Sequence, residues 1–139
     1  MINLGITERE VFAKALEAMT SFRETFGRPL DEHFVAALHV ALNMDIMLTD
    51  EADSAGYDAV DKDGKRYQIK YRSPDALNVD VKDFDFDYLV LVNLNENYQL
   101  AGMWKMPALR AEGIFAYKDD SKHFQTTQVR YREEGEQVA

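Results

Sequence analysis

Asp58, Gln68 and Lys70 are the residues of this chain whose types and spacing could do chemistry. A carboxylate is followed, after nine intervening residues, by an amide and, two positions on, by an ammonium. Hard divalent cations such as magnesium take oxygen ligands. The Asp58 carboxylate, the Gln68 amide oxygen and the Ile69 carbonyl would supply these while water fills the remaining positions. A lysine beside such an ion is a fixed positive charge that orients an attacking water and stabilises negative charge developing on phosphorus. The set fits metal-assisted hydrolysis of a phosphodiester.

Whether these groups meet depends on a hairpin. Tyr57 to Asp61 and Lys65 to Arg72 read as two short strands, with Asp63-Gly64 as the turn signal between them. In the second strand Tyr67, Ile69 and Tyr71 share one face and Gln68, Lys70 and Arg72 the other, because strand side chains alternate. A two-residue loop at Asp63-Gly64 would set Asp58 opposite Ile69, on the wrong face. A three-residue loop, Lys62-Asp63-Gly64 with Gly64 left-handed, pairs Asp61 with Lys65 and Asp58 with Gln68. A slip of one residue flips every side chain. The three-residue loop is the expectation, because it gathers Asp58, Gln68 and Lys70 on one surface.

Gly56-Tyr57-Asp58-Ala59 and Tyr67-Gln68-Ile69-Lys70 in this strand-turn-strand context resemble the signature of the PD-(D/E)XK nuclease superfamily. The likeness is to the variant with glutamine in place of the acidic residue before x-Lys, and it covers roughly residues 29 to 106. It implies an α/β fold: a mixed central sheet flanked by helices, restriction-endonuclease-like, with an αβββαβ core and here an extra N-terminal helix. It implies a Mg2+- or Mn2+-dependent endonuclease acting on nucleic acid, DNA in the first instance, and leaving a 5′-phosphate and a 3′-hydroxyl. Asp58 would be the principal metal ligand, Gln68 and the Ile69 carbonyl further ligands, and Lys70 the catalytic lysine. Glu32 matches the acidic residue that the helix before the hairpin often carries in the superfamily, as an auxiliary catalytic and metal-binding acid. It also suits a helix N-terminus through the dipole alone. Superfamily enzymes that cut both strands commonly pair two subunits, so the resemblance implies a homodimer or a larger complex.

Composition sets bounds. At 139 residues, with 46% hydrophobic and 12% aromatic content, the chain reads as a single globular domain spanning residues 1–139. It holds no cysteine, which excludes disulfides and thiolate metal sites and suits a reducing cytoplasm. No stretch is long and apolar enough for a membrane span, and Met1 to Gly5 does not read as a signal peptide, so a cytoplasmic protein without a membrane partner is expected. The net charge of −9 runs against tight nucleic-acid binding, which draws much of its affinity from phosphate contacts. The cations would have to be concentrated locally, as Lys65, Arg66, Lys70, Arg72 and Lys82 are in sequence.

The remaining elements must position the hairpin. Thr7-Glu8-Arg9-Glu10 reads as a capping box opening a helix whose apolar residues, Val11 to Phe26, form a core stripe ended by Gly27. Pro29 starts a second helix, with Phe34, Val35, Leu38 and Leu42 inward and an end near Asn43; His33 and His39 are surface or packing residues. Asp45 to Ala55 reads as an acidic loop with a short strand at Ile46 to Leu48, a solvated loop being the favoured reading over an approach of Glu51 or Asp53 to a metal. Ser73 to Phe86 reads as a mobile, exposed connection. Asp87 to Asn93 is a buried strand and Tyr98 to Met106 the next. Pro107 to Glu112 suggests a short helix, His123 to Arg132 an added strand, and Trp104 a core residue.

Two other readings use the same residues. In one, a catalytically silent nuclease fold serves as a protein- or nucleic-acid-binding module of a larger assembly. In the other, an unrelated small α+β domain carries the hairpin as decoration, and Asp58 and Lys70 point apart.

Overall fold

The computed structural model describes residues 1–49 and 57–139 and divides into two compact units, Met1–Asp31 and Glu32–Ala139. The part of the expected acidic loop that holds Glu51 and Asp53 lies outside the described residues.

The first unit is built on one helix, α1 (Ile6–Phe26). Its N-cap is Gly5 rather than the expected Thr7, because the Glu8 carboxylate reaches back three residues to accept the Gly5 N–H at 3.0 Å. It ends where Gly27, at φ 71°, donates its N–H to the Arg23 carbonyl at 2.8 Å, a left-handed turn that glycine adopts without strain. The stripe expected to be core is not buried: Val11, Phe12, Leu16, Met19 and Phe26 are all exposed. One helix offers no second apolar surface within its own unit.

In the second unit, α2 (Glu32–Asn43) leads into β1 (Ile46–Leu48), β2 (Ala59–Asp61) and β3 (Arg66–Arg72). There follow β4 (Asn78–Val81), β5 (Tyr88–Leu94), β6 (Leu100–Pro107), α3 (Ala108–Ile114), β7 (Ala116–Lys118), β8 (His123–Thr127), α4 (Gln128–Glu134) and β9 (Glu136–Gln137). The main sheet has the order β1-β2-β3-β5-β6-β9 and is mixed: β3 and β5 run parallel, and every other neighbouring pair is antiparallel. A second sheet has the order β4-β8-β7. The chain is therefore α/β, with a mixed sheet and helices on it.

The continuous apolar run of β5 arises because both of its faces are covered. Leu89 and Leu91 pack with Val79, Val81, Phe86, Met106 and Tyr131 on one side. Val90, Val92 and Leu94 pack with Ala36 and Val40 of α2, and with Tyr67 and Met103, on the other. Each fully buried side chain of this kind contributes about 1.5–3 kcal/mol by removal from water. α2 thus covers one face, and the second sheet with α3 and α4 covers the other.

Two segments differ from expectation. Ser73 to Phe86 is not an exposed connection. Its alternation at Asn78-Val79-Asp80-Val81 makes it strand β4, with Val79 and Val81 buried, and Phe86 is buried as well. This segment joins β3 to β5 without a helix, where an αβββαβ core would have one. The tail His123 to Arg132 is not one strand either. Thr127 Oγ1 accepts the Arg130 N–H at 3.1 Å and caps α4, whose Gln128 and Tyr131 return to the core at helical spacing. The Tyr131 hydroxyl donates to the Leu89 carbonyl at 2.7 Å. In the short helix expected at Pro107 to Glu112, Pro107 is the N-cap and Gly113 lies inside. No helix among the described residues is long and apolar enough to cross a membrane.

Candidate functional site

The hairpin has the three-residue loop. Asp61 donates its N–H to the Lys65 carbonyl at 3.0 Å, Gly64 donates to the Asp61 carbonyl at 3.0 Å, and Gly64 stands at φ 78°. The Asp61 carboxylate holds the turn, accepting the N–H groups of Asp63 and Lys65 at 2.9 and 3.0 Å on one oxygen and the Tyr67 hydroxyl at 3.1 Å on the other. Some desolvation raises its pKa. The N–H groups of Lys65 and Asp63, the Tyr67 hydroxyl and the Lys65 charge outweigh it and hold the carboxyl below the usual range. Ala59 pairs with Tyr67 and Val60 with Arg66, the register of the three-residue loop, and the pairing stops at Ala59, so that Asp58 stands just before the paired residues.

Asp58 lies immediately before β2 and is tied to both neighbouring strands. Its N–H donates to the Tyr67 carbonyl at 2.8 Å, and its own carbonyl accepts the Thr49 N–H at 2.9 Å. Its Oδ2 accepts both the Gln68 side-chain amide at 3.1 Å and the Ile69 backbone N–H at 2.7 Å. The N–H and C=O of one extended residue point to the same side of a strand, so the Ile69 carbonyl faces the β2 edge as its N–H does.

Lys70 follows two residues after Gln68 on the same face, where its pairing partner on β5 is the buried Leu91. Burial pushes the Lys70 pKa down; Asp80 opposes that, Arg72 adds to it, and Asp58 and Asp83 oppose it. Arg72 forms an ion pair with Asp80 and donates to the Asn78 carbonyl at 3.3 Å, which ties β4 to this end of β3. The Lys70 ammonium therefore feels the charge of acids from two segments: Asp58, beside the hairpin, and Asp80, which the sequence reading did not single out. The alternating pattern of β4 was the available signal for Asp80.

Glu32 sits elsewhere. It is exposed in the first turn of α2, and its charge, after burial, raises the pKa of Tyr71, which belongs to the α2-facing side of β3. Its neighbour His33 meets the Tyr71 ring edge-on at 5.8 Å. The structure thus joins Asp58, Gln68 and Ile69 by direct contact, brings Lys70 within reach of the Asp58 charge, and sets Glu32 by the opposite face. His39 lies 2.9 Å from the Tyr98 carbonyl, a packing role, and Trp104 packs against the core beneath the Arg132 guanidinium, 5.6 Å from its ring.

Among the described residues no three His, Asp or Glu side chains are grouped to hold a metal ion. Magnesium does not require such a cage, since it keeps several waters and binds through one or two carboxylates and substrate oxygens. The Asp58 carboxylate, the Gln68 amide and the Ile69 carbonyl fit a water-rich Mg2+ or Mn2+ site of that kind, provided the Gln68 amide turns its oxygen rather than its nitrogen toward the ion. The donor set does not fit a fully protein-ligated calcium site.

No protein-family model matches the chain, and no curated protein sequence matches it.

Proposed function

We propose that this chain is a metal-dependent nuclease with a PD-(D/E)XK-like site, hydrolysing phosphodiester bonds in DNA. The observation that carries the reading is the contact of Asp58 with Gln68 at 3.1 Å and with the Ile69 N–H at 2.7 Å, with Lys70 next on the same face. The run α2-β1-β2-β3, followed by a further strand beside β3, supports it. The missing helix between β3 and β5 departs from the αβββαβ pattern, and β4 stands in that place.

Asp58, Gln68 and the Ile69 carbonyl would hold Mg2+ or Mn2+, which when bound acidifies a water and withdraws charge from a phosphoryl oxygen. Asp58 orients the attacking water by accepting its hydrogen bond. The half-buried Lys70 ammonium donates to the phosphoryl oxygen on which negative charge grows, where a preformed donor is worth more than it would be in water. Gln68 in place of an acid leaves one negative charge fewer at the ion, which favours weak ion binding. Lys65, Arg66 and Arg72 stand near the hairpin to receive the phosphate backbone, although Arg66 and Arg72 already pair with acids.

A second reading is favoured by one observation: the Gln68 amide donates to Asp58 and so completes a hydrogen-bonded pair without any ion. In that reading the fold is catalytically silent and binds protein or nucleic acid in an assembly. A plasmid-nicking assay with magnesium or manganese separates the two. Metal-dependent cleavage by the native protein, abolished in both Lys70→Ala and Asp58→Ala, supports the nuclease. Absence of cleavage on supercoiled, linear and single-stranded DNA and on RNA overturns it in favour of the silent fold.

A further inference from the structure

At the β6–β9 edge of the main sheet, beside α3 and α4, lies an open cleft of about 530 Å3, within the usual range of small-molecule sites. Tyr88, Lys105, Met106, Arg110, Glu134 and Glu136 line it. Its charges are of both signs and are not all matched. Arg110 and Glu134 neutralise each other across 2.5 Å. Lys105 and Glu136 are opposite one another in the β6–β9 register, the position from which two such side chains ordinarily pair. Among the described residues, however, neither has an ion-pair partner within 4.0 Å. The Lys105 ammonium instead lies over the Tyr88 ring, 4.5 Å from its centre, and 6.0 Å from that of Tyr67. The two rings stack at 5.1 Å and give the lysine a preformed rest.

A cation held on aromatic faces and a carboxylate left facing the same cleft are complementary to a ligand that carries one charge of each sign. We infer that this cleft binds a zwitterion, a free α-amino acid or a short peptide with an apolar side chain. Its carboxylate meets Lys105, its ammonium meets Glu136, and its side chain lies against Tyr88 and Met106. A simple anion is disfavoured by Glu134 and Glu136, and a simple cation by Lys105 and Arg110. The site shares no residue with the Asp58–Lys70 centre and does not rest on the nuclease reading.

Calorimetry and amide chemical-shift mapping on the full chain test it, with L-leucine, leucyl-leucine, N-acetyl-L-leucine and L-leucinamide as probes. Saturable binding of L-leucine or leucyl-leucine is expected, with shifts at Tyr88, Lys105 and Glu136; the tighter of the two identifies the source as amino acid or peptide. N-acetylleucine lacks the ammonium and leucinamide the carboxylate, so each should bind at least about tenfold more weakly. Lys105→Met should cost a similar factor, and Glu136→Gln should weaken L-leucine without further weakening N-acetylleucine. If neither zwitterion binds saturably, or if N-acetylleucine or leucinamide binds as tightly as leucine, the inference is overturned. The analogue series uses the native protein, so a variant that fails to fold does not leave the question open.

Discussion

Asp58 accepts the backbone N–H of Ile69 on its side-chain Oδ2 at 2.7 Å, standing in for the carbonyl that a longer β2 would have offered. One carboxylate therefore closes the hairpin ladder and also faces Gln68, so the residue with the most chemical promise has a structural task as well.

That double role separates two substitutions. Asp58→Ala leaves the Ile69 N–H without this acceptor and should destabilise the fold by about 1–3 kcal/mol. Asp58→Asn keeps an oxygen acceptor, so it should cost less stability while still abolishing metal-dependent cleavage. Urea unfolding of both variants beside the nicking assay checks this. Equal stability of the alanine variant and the native protein would remove the structural role.

Gly64 at φ 78° sets the hairpin register. A Cβ there meets no atom within 4 Å, so the cost of Gly64→Ala is backbone strain alone, about 1–2 kcal/mol. Gly64→Asn, which tolerates the left-handed region better, should recover part of it. Chemical denaturation of the two variants measures the difference, and an alanine variant as stable as the native chain would contradict the left-handed turn.

Tyr67 supplies a pH dependence. Burial, then its hydrogen bond to the anionic Asp61, raises its phenol from 10.0 to about 12. The folded state thus prefers the neutral phenol. Its contribution to stability is whole below pH 10 and is lost as the pH rises through about 12. Tyr131, raised well above the usual value by burial, adds a further loss at high pH. Unfolding midpoints measured across this alkaline range should fall less steeply in Tyr67→Phe than in the native protein. An unchanged steepness would show that Tyr67 does not titrate in this way.

The Arg72–Asp80 ion pair fastens β4 to the Lys70 end of β3, and both side chains are partly exposed. A double-mutant cycle with Arg72→Ala and Asp80→Ala should give a coupling of about 0.5–1 kcal/mol that shrinks with added salt. Zero coupling at low salt would mean that the pair does not hold the two strands together.

The residues of the hairpin were legible because what arranges them is local. Asp63-Gly64 admits few loop conformations, and alternation along β3 then fixes which residues share the face of Lys70. The β1 strand at Ile46 to Leu48 and the doubly buried β5 were legible for a like reason, each being a short apolar run of strand length. The β8-to-α4 change at Thr127 was missed because strand and helix patterns overlap within ten residues there, and a single side-chain cap decides between them.

By itself, then, the sequence determined that Gln68 and Lys70 share one face of β3, since a period of two suffices for that, and it offered the three-residue loop as the one that sets Asp58 beside them. Tertiary structure alone decided that Asp80 stands beside Arg72, that Glu32 lies by the opposite face of β3, and that Lys105 and Glu136 share a cleft. Those relations join segments distant along the chain. Their pairing follows from which buried faces fit together, here the two sides of β5, and no local pattern encodes that choice.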